Sequence, residues 1–221
     1  MILFNQGNSL QIRQIQPKDA SILTEAYKNP EFMRLYGSNM TPLTEEQLYE
    51  RQNYSIEDLG FIEYLIIHKQ HGAIGIAILT EYVAIHKRAQ FMIGLFETEH
   101  RSIGYGTEAT LLVLDLAFNA YGLHKVFSYV YDYNYFSHKN MLKFGFEHEG
   151  ILKDHHFIIE KSKFISLYVN AMTEARFRSY EKISRYSKRL IGRDVTKKPI
   201  KLNPKKISSN IQKNFINSLH F

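Results

Sequence analysis

Between Ala89 and Ala109 the chain reads AQFMIGLFETEHRSIGYGTEA, and this stretch holds the residues best spaced for chemistry. An apolar run of strand length, Ala89 to Phe96, is followed by Arg101, by Gly104 and Gly106, and by a helical pattern starting near Thr107. A glycine-bearing turn that ends at a helix N-terminus gathers unpaired backbone N–H groups at one point, where the helix dipole also favours negative charge. Such a point binds phosphate.

Two phosphate ligands compete for the turn. Gly104-Tyr105-Gly106-Thr107-Glu108-Ala109 satisfies the spacing of a dinucleotide fingerprint. That fingerprint normally opens a βαβ array and carries an acidic residue about 20 positions on. Here the turn lies mid-chain, the charged cluster Glu97 to Arg101 separates strand from glycines, and Asp132 comes 28 residues after Gly104. The dinucleotide reading is the poorer fit.

The same residues resemble the acyl-CoA core of the GNAT superfamily of N-acetyltransferases, whose pyrophosphate loop is Gln/Arg-x-x-Gly-x-Gly/Ala. Arg101-Ser102-Ile103-Gly104-Tyr105-Gly106 matches every specified position. Downstream, Asn134-Tyr135-Phe136-Ser137 followed by Lys143-Phe144-Gly145-Phe146 looks like the family's Asn-x-x-Ser/Ala helix ending in Lys-Leu-Gly-Phe. Gly106-Thr107-Glu108-Ala109 adds a likeness to the ribosomal-protein alanine and polyamine acetyltransferase type, and the resemblance covers roughly residues 9 to 173. It implies acetyl-CoA or another acyl-CoA as co-substrate. Backbone groups of Arg101, Ser102, Ile103, Gly104, Tyr105 and Gly106 would hold the CoA pyrophosphate, and Thr107 would add a hydroxyl. Pantetheine would lie where the strand before the loop splays from the next parallel strand, with the thioester near Ile93, Gly94 and Leu95 and near Tyr129 to Tyr131. Asn134 would position the pantetheine arm, though an asparagine before an apolar run is equally a helix cap.

Acid–base chemistry is harder to assign. Direct attack needs a neutral amine, so a base or a water chain must take a proton. Many relatives carry a tyrosine seven residues after the helix asparagine, and here that position is Met141; a glutamate often found early in the third meander strand is Gln90. Glu97 is the expected catalytic carboxylate, with Glu81, His86 and Tyr131 as further candidates. The two departures also admit a degenerate CoA-binding module without activity.

The elements that must position these residues follow from periodicity. Ser9 to Ile15 alternates as a first strand, Asp19 precedes a helical run ended by Asn29-Pro30, and Glu31 to Tyr36 makes a second short helix. Thr44 and Gln47 have capping-box spacing for a third. By the resemblance this helical region lines the acceptor pocket, with Tyr36, Ser38 and Asn39 as substrate-binding candidates. Strands are expected over Phe61 to His68, Ala73 to Leu79 and Ala89 to Phe96, then a helix to Tyr121 stopped by Gly122, a strand over Lys125 to Tyr131, a helix over Asn134 to Phe144, and strands over Phe146 to Phe157 and Lys161 to Met172. The expected fold is α+β: a mixed, mostly antiparallel sheet of about seven strands, splayed centrally and flanked by helices.

Composition narrows the class. With 221 residues and 44% hydrophobic content the chain can bury a sizeable core, and no apolar stretch approaches the ~20 residues of a membrane span. Met1 to Phe4 is too short for a signal sequence, so a cytoplasmic location is expected. Zero cysteines exclude a disulfide framework, thiolate zinc ligands and a cysteine nucleophile, and the ten histidines show no metal spacing, so no metal is expected. From Arg176 to Phe221 there are 13 Lys plus Arg against 2 acids, a net of +11; with +6 for the whole chain, residues 1–175 carry −5. The expected division is therefore a catalytic domain over residues 1–175 and a basic extension over 176–221, with Arg176 to Leu190 as a basic helix. No aromatic-interleaved basic stripe is visible in the sequence, so nucleic acid is not expected as a partner. The expected function is N-acyl transfer to a primary amine, leaning to a nucleotide-linked amino sugar, which the basic tail would suit; a protein N-terminus and a polyamine are the alternatives, and a homodimer is an expected partner state.

Overall fold

The computed structural model describes residues 4–37, 44–46, 49–50, 60–101 and 104–198. Its centre is one sheet of eight strands in the order β1-β2-β3-β4-β5-β6-β8-β7: β1 Phe4–Gln6, β2 Leu10–Gln14, β3 Ile62–His68, β4 Gly72–Val83, β5 Arg88–Leu95, β6 Lys125–Tyr131, β7 Glu147–Ile158 and β8 Lys163–Thr173. Every neighbouring pair is antiparallel except β5 with β6. The strand beyond the expected seven is β1, three residues long and too short to announce itself by alternation. It is fixed by tertiary polar bonds, because the Asn5 amide donates to the Leu112 carbonyl at 3.0 Å and to Asp115 at 2.9 Å.

Alternation along the strands divides the core between two faces. On one, Leu10, Ile12, Tyr64, Ile66 and Phe91 meet α3 (Tyr105–Asp115), α4 (Tyr135–Phe144), α5 (Glu174–Ser179) and α6 (Glu181–Ile191). On the other, Leu65, Ile76 and Ile78 meet α1 (Ala20–Tyr27) and α2 (Pro30–Tyr36). Local chemistry sets the helix ends. Asn29 Oδ1 accepts the N–H groups of Glu31 and Phe32 at 3.0 and 3.1 Å while Pro30 presets the first turn of α2. Gly145, at φ +110°, closes α4 in the left-handed conformation that other residues adopt only with strain. Residues 45–46 and 49–50 are helical, as expected beyond Thr44, and Gln47 lies outside the described residues.

The basic segment after Arg176 is not one helix. It breaks at Tyr180, whose ring packs so closely on Gly145 that a Cβ there would sit 2.4 Å from the tyrosine Cδ1. Phe177, Ile183, Ile191 and Val195 are buried in the same apolar cluster as α3. A polar network continues the join: Arg193 reaches Asp115 and, at 2.8 Å, Asn5, while Arg178 donates to Asn119 at 2.6 Å and Asn119 donates to Asp115 at 2.6 Å.

Candidate active site

The splay lies between β5 and β6. The two strands pair only at Arg88–Lys125, Ala89–Val126 and Gln90–Phe127, and beyond Gln90 the ladder stops. Met92 to Leu95 and Ser128 to Tyr131 therefore border an opening in the sheet, each strand held only by its outer neighbour. Backbone groups left without a ladder partner need another, and an extended amide-bearing ligand supplies one.

Directly beyond the opening the chain turns through Thr98–Arg101 into α3. Gly104, at φ +95°, is the N-cap of α3, and its carbonyl accepts the N–H groups of Thr107 and Glu108 at 3.0 and 3.2 Å. The N–H groups of Tyr105 and Gly106, in the first turn, have no intrahelical acceptor. A Cβ on Gly106 would meet only Leu95 Cδ1 at 3.9 Å, and one on Gly104 would meet nothing within 4 Å, so the approach to these amides is open. These features fit a diphosphate. Ser102 and Ile103 lie outside the described residues. The Arg101 side chain turns the other way, to Glu31 at 3.3 Å and the Leu95 carbonyl at 3.5 Å, tying the loop to α2.

Glu108, named by the motif, is buried and serves the fold: its Oε1 accepts the Ser9 and Leu10 N–H groups at 2.9 Å each, fastening the β1–β2 turn to α3. A ring cluster covers that corner, with His68 stacked on His71 at 4.5 Å between centroids and tilted against Tyr105 at 4.7 Å, and His100 5.8 Å from His71. Burial, aided by repulsion from His71 and His100 and opposed by Glu108, holds the His68 pKa below the usual histidine value. Among the described residues no group of three histidines, aspartates or glutamates is arranged to hold a metal ion.

On the α2 side of the sheet, Gly94 lets α2 close on β5: a Cβ there would lie 2.5 Å from Phe32 Cε2 and 2.9 Å from Tyr36 Cδ2. Tyr36 is buried, stacked on Phe32 at 5.0 Å, and forms part of the floor of this region. Ser38 and Asn39 lie outside the described residues. The wall of the opening is aromatic. Tyr131 stacks on Tyr133 at 5.1 Å and leans on His156 at 5.6 Å; Arg34 and Lys161 sit 5.7 and 5.5 Å from the Tyr133 ring centre, and the Tyr133 hydroxyl donates to the Arg34 carbonyl at 2.7 Å. Tyr133 and His156 were missed by motif reasoning. The available signal was the tyrosine run Tyr129, Tyr131, Tyr133 at the end of β6.

The acid–base candidates separate by position. Glu81, late in β4, and His86, between β4 and β5, lie toward the paired end of the β5–β6 seam. Glu97 is exposed immediately after β5, at the open end, and Tyr131 borders the opening. Gln90 is buried at the last paired position, and Met141 is buried in the apolar cluster under α4. Asn134 caps α4, accepting the Ser137 N–H at 3.3 Å, which leaves its amide N–H groups for other partners.

A family model for the GNAT acetyltransferase domain matches residues 9–147, well over half of the chain. The chain belongs to this family of acetyl-CoA-dependent N-acetyltransferases. An uncharacterized N-acetyltransferase of Bacillus subtilis strain 168, YoaA, is 28% identical over 156 residues, 68% of this chain and 86% of that protein. Among solved structures, spermidine N-acetyltransferase from Vibrio cholerae, in complex with CoA and spermine, is similar at TM-score 0.69 and 23% identity, over 76% of this chain and 97% of that one. A GNAT-family acetyltransferase from Bacillus anthracis is similar at TM-score 0.65 and 21% identity, over 78% and 99%. No described helix is long and apolar enough to cross a membrane.

Proposed function

We propose that this N-acetyltransferase acts on a flexible, cationic primary amine of the polyamine kind. The observation that carries the reading is the separation of charge between the two sheet faces. The basic helices α5 and α6 pack with α3, whereas the acceptor helices α1 and α2 lie on the opposite face. The described basic residues of the C-terminal segment are therefore displaced from the amine's approach, which weakens the case for a nucleotide-linked amino sugar. The open end instead carries exposed Glu97 and Glu99, and Glu45, Glu46 and Glu50 follow α2, all exposed. Tyr133, already hosting two cations, is a surface that accepts ammonium groups. The similarity to a spermidine acetyltransferase crystallised with spermine supports the same class.

In this reading the amides at Tyr105 and Gly106 hold the CoA diphosphate, and Asn134 steadies the pantetheine arm. A main-chain N–H in Ile93 to Leu95 stabilises the oxyanion that forms as the amine attacks the thioester carbonyl. Glu97, through water, takes one proton from the bound ammonium so that the neutral amine attacks; the tetrahedral adduct gives its second nitrogen proton to water as the C–S bond breaks, and the thiolate takes a proton from solvent because Met141 offers none. Orientation by the two walls of the opening supplies much of the rate.

The test is thiol release from acetyl-CoA with spermidine, an N-terminal alanine peptide and a nucleotide-linked amino sugar. Turnover greatest with spermidine supports the proposal. Turnover confined to the peptide or the sugar overturns the acceptor class, and CoA binding without any turnover favours a binding module.

A further inference from the structure

Independently of the acceptor, we propose that the outward face of α6 and the segment to Lys198 bind the phosphate backbone of nucleic acid. Helix formation sorts the segment sharply. Ile183, Ser187 and Ile191 are buried against the body, and Lys182, Arg185, Lys188, Arg189, Arg193, Lys197 and Lys198 are exposed. Lys182 to Arg189 spans about 10 Å of helix. The acids on this face are Glu181 and Asp194, and Asp194 is already engaged by Ser184 at 2.7 Å, Thr196 at 2.6 Å and Lys188 at 3.5 Å. Lys182, Arg185, Arg189 and Lys197 have no ion-pair partner among the described residues. The chain beyond Lys198 adds four lysines and no acid.

The folded segment also supplies what the linear sequence concealed, aromatic rings set among the cations. Tyr186 lies between Arg185 at 5.7 Å and Arg189 at 5.3 Å, and Tyr180 between Arg176 at 4.5 Å and Lys182 at 5.9 Å. Of the two rings, half-buried Tyr186 with Arg185 and Arg189 beside it offers bases an edge to stack on, next to cations that neutralise phosphates. A lipid surface fits less well. An interfacial helix needs a free apolar face, and the apolar face of α6 is already buried; no large hydrophobic residue between Glu174 and Lys198 is exposed. The partner that matches dense cations, aromatic rings and an absence of exposed apolar surface is a polyphosphate strand.

Fluorescence anisotropy of the full chain with a labelled single strand of about 20 nucleotides tests this, because log affinity falls against log salt with a slope of ~0.7 per phosphate neutralised on a single strand. The variant Lys182→Gln/Arg185→Gln/Lys188→Gln/Arg189→Gln should reduce the slope by about 3 and the affinity on the order of 100-fold or more, with its melting temperature unchanged. The charge-conserving Arg185→Lys/Arg189→Lys variant should keep the slope while losing affinity through lost stacking, which separates phosphate contact from misfolding. Absence of binding at low salt overturns the proposal. So does a quadruple variant that binds as tightly as the parent, a conservative variant that loses the slope, or displacement of the strand by polyglutamate or phosphatidylserine vesicles at equal charge.

Discussion

The two faces of the sheet are held by different physics. Against α3, buried polar groups tie distant parts of the chain: Glu108 to the β1–β2 turn, and Asp115 to Asn5, Asn119 and Arg193. Against α1 and α2 the buried core contacts are rings, with Phe32 stacked on Tyr27 at 6.1 Å and on Tyr36 at 5.0 Å, and edge-on to Phe96 at 5.4 Å, while the polar ties, Arg101 to Glu31, Tyr133 to Arg34 and Asn29 to the Phe96 carbonyl, sit at the ends of α2 and along its exposed side. Hydrogen bonds fix position within tenths of an ångström, whereas ring packing tolerates sliding. Under the proposed function, the diphosphate site thus stands on the positionally stricter face and the acceptor helices on the more adaptable one.

The comparison breaks most visibly at Asp115. Asp115→Ala removes three hydrogen bonds at about 1 kcal/mol each, so chemical denaturation should show a loss of ~3 kcal/mol. Next comes the donor loop: in Gly104→Val/Gly106→Val, strain at φ +95° and a side chain over the amides should weaken CoA binding on the order of 100-fold, about 2.8 kcal/mol by calorimetry. Thermal stability should change far less than CoA affinity. On the adaptable face, Gly94→Ala forces Phe32 and Tyr36 outward and should cost about 1–3 kcal/mol in stability. It should raise the amine KM more than the acetyl-CoA KM, which steady-state kinetics would resolve.

The smallest effect concerns pH and again belongs to the α3 face. Burial, reinforced by neighbouring histidines, lowers the folded-state pKa of His68 and of His138 below the ordinary 6.5. The unfolded chain then binds protons more readily, so this stability is complete above about pH 6.5 and declines as pH falls toward the lowered folded values. Melting temperatures measured between pH 7.5 and 5 should fall, and His68→Gln should flatten the decline.

The local structure of the segment from β5 to α4 was largely legible because its signals are local. A glycine at positive φ, an asparagine cap and an apolar run each declare themselves within a few residues, and β6 spans Lys125–Tyr131 as its β-branched and aromatic composition indicated. What escaped was set by distant partners. β1 exists because Asn5 finds Asp115; the C-terminal helix divides because Tyr180 needs room on Gly145; α3 passes into a π-helical turn at Leu116–Ala120 where Asn119 meets Arg178. At the opening, Tyr131 and His156 come together from β6 and β7, strands separated in the sheet by β8, and no spacing rule joins them.

The anchorage of residues 177–195 bears on how the chain survives trimming. Cleavage after residue 175 would strip Phe177 from its stack on Phe118 at 4.6 Å and unroof α3 along its length. A protease digesting the native protein from its C-terminus should therefore stall near Val195, and a chain biosynthetically ended at 175 should emerge as an aggregate rather than as a smaller enzyme.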